Sequence, residues 1–258
     1  MRHPALYLLP NAITLASIGC GFLVLVLAGS DPASLRQGAA LLVLSMVLDV
    51  VDGRVARLTG TQSAFGVQFD SLADVISFGV APAVLLYRWS LSALGTLGVV
   101  GAFAYLAAGA IRLARFNVAA SAPGPPGVYL QGLPIPGGAG IVAALVLADP
   151  LTDGLLSAQP SAVLAGVIAT SVLMLSRLRF RAFKRFRVSA TSVAFGATVI
   201  SGGIALAVLA HPVFTLVWVL AVYVVLAFVE SAWAARQRPD GHGCGSEGGA
   251  SSSGHERP

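Results

Sequence analysis

The chain has 258 residues, of which 56% are hydrophobic and 10% charged, with a net charge of +5. A soluble domain carries about 25% charged residues, so this composition excludes an ordinary water-soluble fold and makes lipid the solvent. The positive charge does not point to nucleic acid, because no basic patch is interleaved with the aromatic side chains that stack single-stranded bases.

In chain order, hydropathy predicts an all-α integral membrane protein with about eight apolar spans, at 11–29, 36–57, 66–87, 91–113, 137–149, 160–176, 190–209 and 213–234. Arg2 precedes the first and gives it the look of a signal peptide. It is read as a retained span, because no cleavage site followed by a soluble domain is evident. With the N-terminus in the cytoplasm, fourteen of the sixteen Lys and Arg residues face that side, and only Arg36 and Arg88 fall outside. This positive-inside bias requires an even number of spans and places both termini in the cytoplasm. Between the fourth and fifth spans, residues 121–137 (SAPGPPGVYLQGLPIPG) hold five prolines and break helical periodicity. That connection either shapes a pocket or acts as a spacer. Residues 1–235 form one membrane domain. Residues 236–258, rich in Gly and Ser, cannot bury a core and are expected to be a disordered cytoplasmic tail. Cys20 lies in an apolar run and Cys244 in the tail, so no disulfide framework is implied. His242, Cys244 and His255 read as solvated tail residues rather than metal ligands.

Four aspartates, Asp49, Asp52, Asp70 and Asp74, stand where the second span ends and the third begins. An ionised carboxylate in a span costs roughly 2.5 kcal/mol or more on insertion scales, so something must offset four of them. The spacings i, i+3 (Asp49, Asp52) and i, i+4 (Asp70, Asp74) put each pair on one helical face. With the turn between the helices in the cytoplasm, both pairs reach the same depth, at the cytoplasmic edge of the bilayer. Oxygen-only ligand sets suit hard divalent cations, Mg²⁺ or Mn²⁺. Two such ions balance four carboxylates, and a two-metal site is the usual clamp for displacement at phosphorus. Gly53, Ala56 and Gly66 lie on or near the carboxylate faces, where small residues either admit a ligand or simply let helices pack in lipid. Arg57 offers a guanidinium suited to a phosphate.

The pattern Asp49-x2-Asp52-Gly53-x2-Ala56-Arg57-x8-Gly66-x3-Asp70-x3-Asp74 resembles, at every fixed position, the signature of the CDP-alcohol phosphatidyltransferase family. The resemblance implies that Asp49, Asp52, Asp70 and Asp74 ligate two divalent cations, with Asp74 also the general base. It implies that Gly53, Arg57 and the hydroxyl of Ser63 contact the CDP-lipid, beside Ala56 and Gly66. The opening Pro10-Asn11-x2-Thr14 is similar to the family's first helix, where Asn11 and Thr14 face the nucleotide pyrophosphate. A homodimer is implied as well.

Three further stretches, Ile111-Arg112-Leu113-Ala114-Arg115-Phe116-Asn117, Gly132-Leu133-Pro134-Ile135-Pro136 and Ser176-Arg177-Leu178-Arg179-Phe180 with Phe183-Lys184, resemble one branch, the integral-membrane phosphatidylserine synthases. The likeness covers about residues 4–187 and implies CDP-diacylglycerol and L-serine as substrates. Serine presents a carboxylate that Arg binds bidentately, which makes Arg112, Arg115 and Asn117 candidate acceptor contacts. The alternative for both arginines is anchoring at the interface. The cluster Arg177–Arg187 reads as a surface for lipid headgroups. Rival readings are a sister transferase using glycerol 3-phosphate, inositol phosphate or choline, and a proton-coupled transporter. The expected location is the membrane, the cytoplasmic (inner) one if the source is bacterial.

Overall fold

A computed structural model describes residues 5–29, 31–61, 63–121, 129–176 and 179–181. The expected spans 190–209 and 213–234, the tail, and Phe183, Lys184, Arg185 and Arg187 lie outside the described residues. Within them the chain is helical: α1 Ala5–Leu27, α2 Pro32–Thr59, α3 Ala64–Asp74, α4 Ala81–Trp89, α5 Thr96–Ser121, α6 Ile135–Ala148 and α7 Pro160–Leu175. Four segments are long and apolar enough to cross a membrane: Leu8–Leu27, Ala64–Trp89, Thr96–Ala120 and Ile135–Thr152. Helix α2, at 28 residues, is also long enough at 1.5 Å per residue; its charged residues, Arg36 through Arg57, lower its mean hydropathy. Helix α7, Pro160–Leu175, matches the span expected at 160–176 to within one residue.

Local signals explain the helix ends. Asp31 caps α2, accepting the Ser34 amide at 2.9 Å, and the Ser34 hydroxyl and amide hold the Asp31 carboxyl below its ordinary range. Pro32 follows at the first helical position, where its missing amide is not needed. Gly60, with φ 61°, stops α2 directly after Arg57 and Thr59, donating its amide to Ala56 and Arg57 carbonyls. A residue with a Cβ resists that left-handed turn, and the turn brings the chain back at Ser63.

Between α3 and α4 the backbone widens into a π-helical turn, Val75–Val80. Pro82 explains it. A proline has no amide, and its ring crowds the carbonyl four residues earlier, here Phe78. Ala81 donates five residues back, to Ile76, and the buried Tyr105 hydroxyl on α5 donates to Phe78 O at 3.1 Å. The third span is therefore not one regular helix.

The prolines of 121–137 lead to one departure from an all-helical chain. Tyr129–Gln131 (β1) pairs antiparallel with Arg179–Arg181 (β2), Tyr129 opposite Arg181 and Gln131 opposite Arg179. Gly132 then turns at φ 75°, where a Cβ would collide with the Met174 carbonyl, and Leu133 N–H donates to Leu173 O at 3.1 Å. Backbone that Pro and Gly deny to a helix is thus tied to the end of α7.

Apolar attraction between helices is weak when the solvent is lipid, and close packing of small residues replaces it. A Cβ on Gly21 would stand 2.9 Å from Ser77 Cα, and one on Gly79 2.9 Å from Leu106 Cδ1. Around these contacts Leu42, Leu85, Leu86, Leu91, Tyr105 and Leu133 are fully buried. At the end of the bundle away from the aspartates, Trp89 Nε1 donates to Asp149 Oδ2 and Ser157 N–H to Asp149 Oδ1, both at 2.9 Å. This locks α4 to the chain after α6.

Candidate active site

Helices α2 and α3 are joined by the turn at Gly60 and both pack against α1, and they bring the carboxylates of Asp49, Asp70 and Asp74 together. One oxygen from each lies within 4.8 Å of the others. Asp52 follows Asp49 by three residues but turns toward α1: it is 5% exposed, and its Oδ2 accepts the Thr14 hydroxyl at 2.7 Å. The Thr14 Oγ also lies 3.1 Å from Pro10 O, but it has one proton, and the charged acceptor makes the stronger bond.

The CDP-lipid candidates gather on the same side. Asn11 sits one turn before Thr14 on α1, close enough to Gly66 that a Cβ there would be 3.8 Å from Asn11 Oδ1. Ser63 is the N-cap of α3, its Oγ accepting the Gly66 amide at 3.0 Å. Arg57 is exposed and folds back over Gly53, where a Cβ would meet its Nη1 at 3.7 Å. Ala56 is partly buried, and its carbonyl accepts the Thr61 amide at 3.1 Å. Asn11 and Thr14 on α1 thus stand beside Gly66 of α3 and Asp52 of α2, while Arg57 covers Gly53.

The structure separates the three acceptor candidates. Arg112 is 6% exposed, its guanidinium carbon 5.6 Å from the centre of the Phe116 ring. Arg115 is exposed, and its Nη1 donates to Leu175 O at 3.4 Å, at the end of α7 and turned away from the acids. Asn117 Nδ2 donates to Ser71 Oγ at 2.9 Å, pinning the end of α5 onto α3 between Asp70 and Asp74.

A layer that sequence reasoning missed lies one turn deeper. The buried hydroxyls of Ser17 and Ser45 are 2.8 Å apart, and Ser77 Oγ donates to Ser17 O at 3.1 Å. Interhelical bonds of this kind are worth about 0.6 kcal/mol each in a bilayer protein, so their effect is registration more than strength. The available signal was spacing: Ser17 is i+3 from Thr14, Ser45 is i−4 from Asp49 and Ser77 is i+3 from Asp74.

The residues fit a hard divalent cation. The donors are oxygens only, three carboxylates face one point, and Asp74 Oδ1 is buried without a hydrogen-bond partner. Leaving a buried oxygen so costs about 1–3 kcal/mol, and more for a charged group; a cation between the three acids supplies the missing partner.

Comparison with known proteins identifies the family. The family model for CDP-alcohol phosphatidyltransferase matches residues 7–173. A CDP-diacylglycerol–serine O-phosphatidyltransferase of Helicobacter pylori is 40% identical over 182 residues, covering 70% of this chain and 75% of that protein. An archaetidylserine synthase of Methanothermobacter thermautotrophicus is 37% identical over 174 residues, 67% of this chain and 69% of its own. A CDP-diacylglycerol–serine O-phosphatidyltransferase of Mycobacterium tuberculosis is 36% identical over 141 residues, 54% and 48% of the two chains.

Proposed function

Because this chain belongs to the CDP-alcohol phosphatidyltransferase family, we propose that it transfers the phosphatidyl group of CDP-diacylglycerol to the hydroxyl of L-serine, giving phosphatidylserine and CMP. The observation that carries the reaction class is the convergence of Asp49, Asp70 and Asp74 from two helices. Relatives named for serine transfer, 40% and 37% identical over 70% and 67% of this chain, support serine as the acceptor.

Asp49, Asp52, Asp70 and Asp74 hold two divalent cations, Mg²⁺ or Mn²⁺, which when bound neutralise the pyrophosphate and stabilise charge on the attacking and leaving oxygens. Thr14 orients Asp52 by its hydrogen bond. Asn11, Ser63, Gly66, Gly53 and Ala56 line the bed for the CDP moiety, and Arg57 binds its phosphate. Asp74 takes the proton of the serine hydroxyl on its other carboxylate oxygen, Oδ2. The serine oxygen then bonds the lipid-side phosphorus, the bond to the CMP oxygen breaks, and CMP leaves with that electron pair. Arg112 holds the serine carboxylate beside Asp74. Arg115, bonded to the α7 terminus, has no part in it.

Eight spans, both termini in the cytoplasm, a homodimer and residence in the cytoplasmic membrane complete the proposal, supported by the charge bias and by the family likeness. An acceptor panel with purified protein and labelled CDP-diacylglycerol tests it. CMP release is expected with L-serine, lost on chelation and restored by Mg²⁺ or Mn²⁺. Release with glycerol 3-phosphate, inositol phosphate or choline in place of serine overturns the acceptor. A cysteine at Thr61 labelled from the external side overturns the topology.

A further inference from the structure

We infer that Tyr105 is a positioning residue for acceptor binding: by donating to the carbonyl at the π turn, it sets the axial register that brings Arg112 opposite Asp74. The inference rests on the proposed role of Arg112 as holder of the acceptor carboxylate.

Tyr105 is fully buried on α5, and its hydroxyl donates to Phe78 O at 3.1 Å. Phe78 is the carbonyl that Pro82 cannot serve, so the bond exists because the π turn exists. Arg112 is seven residues further along α5. Two turns bring it back to the same stripe, about 10.5 Å nearer the cytoplasm. Asp74 is four residues before Phe78, about 6 Å nearer the cytoplasm on the opposing element. The difference is taken up by the direction of the side chain, since helical side chains lean toward their own N-terminus. The Arg112 guanidinium therefore drops back toward the level of Asp74. At the level of the Tyr105–Phe78 bond, Gly79 admits Leu106, leaving no room for a Cβ between α5 and the π turn.

Asn117, bonded to Ser71 at 2.9 Å, pins the same pair of helices near the headgroups. One pin leaves a helix free to pivot. Tyr105 supplies the second pin on the apolar side, and Arg112 lies between the two.

The test uses full-length protein in mixed micelles, with CMP release measured against both substrates. Tyr105→Phe is expected to raise the serine KM about tenfold, within the range of couplings between residues joined by one network, and to leave the CDP-diacylglycerol KM within about twofold. In an Arg112→Lys background, Tyr105→Phe is expected to add less than about twofold, because the group it positions is already impaired. Pro82→Ala is a second variant that returns an amide to Phe78 without removing any hydroxyl; it is expected to raise the serine KM selectively. Absence of serine-dependent CMP release by the wild type overturns the acceptor reading and this inference together. Normal wild-type turnover with additive effects of the two substitutions overturns the inference alone. So does an unmoved serine KM in both Tyr105→Phe and Pro82→Ala, or an equal rise in both KM values; should Tyr105→Phe fail to fold, Pro82→Ala decides.

Discussion

The hydrogen bond from Thr14 to Asp52 changes what the first helix is for. The family likeness assigns Thr14 to the nucleotide, whereas its hydroxyl reaches a carboxylate on α2 at 2.7 Å. A bond to a charged acceptor is worth about 1.5–3 kcal/mol. Thr14→Val is therefore expected to lower kcat/KM about tenfold to a hundredfold, while Thr14→Ser, which keeps the donor, stays within about threefold of wild type. Equal activity of the two variants would show that Asp52 is held by other means. The arginines give a second contrast. Arg112→Lys keeps the charge but loses the planar fork, and the serine KM is expected to rise about tenfold or more. Arg115→Lys is expected to leave both KM values unchanged, since an exposed Lys snorkels as well as an Arg. The four acids were legible because lipid penalises them unless they are used. The difference between Arg112 and Arg115 was not legible: both sit near a helix end in one basic motif, and only the packing of α5 against the π turn and α7 tells the buried one from the exposed one.

Among the elements, order and rough extent were legible from hydropathy, and the third span was anticipated as a single helix over 66–87. The π turn inside it was not, because Val75–Val80 is apolar throughout and a one-residue widening leaves mean hydropathy unchanged. Pro82 was the available cue, since a proline within a span frees the carbonyl four residues earlier. The ribbon of β1 with β2 was hidden for another reason: strands of three residues are too short to show alternation. A prediction belongs to α4 and its lock at the far end. Trp89→Phe removes the donor to Asp149 and is expected to lower stability by about 1–2 kcal/mol, read as an earlier transition in denaturant titration of the protein in micelles. The KM values for both substrates should not move, because the acids lie at the other end of the bundle. A change in either constant would mean that the two ends are coupled.

At the scale of the whole molecule, the apolar side chains around the acids face outward. Leu58 is 88% exposed, Phe65 67% and Leu72 64%, and Phe65 stacks on Phe69 with centroids 5.8 Å apart. In a bilayer these side chains meet acyl chains, which gives a lipid donor a sideways approach to the acids. A water-soluble acceptor and a lipid donor thus reach the acids by different routes. Such an enzyme does not sense the molarity of its lipid substrate. It senses crowding within a two-dimensional film, and adding inert detergent at constant bulk CDP-diacylglycerol is expected to slow turnover as the surface is diluted, while the response to serine stays that of a dissolved solute. A rate independent of the detergent ratio would place donor capture in the aqueous phase. If the dilution holds, the flux through this step follows the composition of the membrane around the enzyme, and the film itself acts as the regulator of how fast its own lipids are remade.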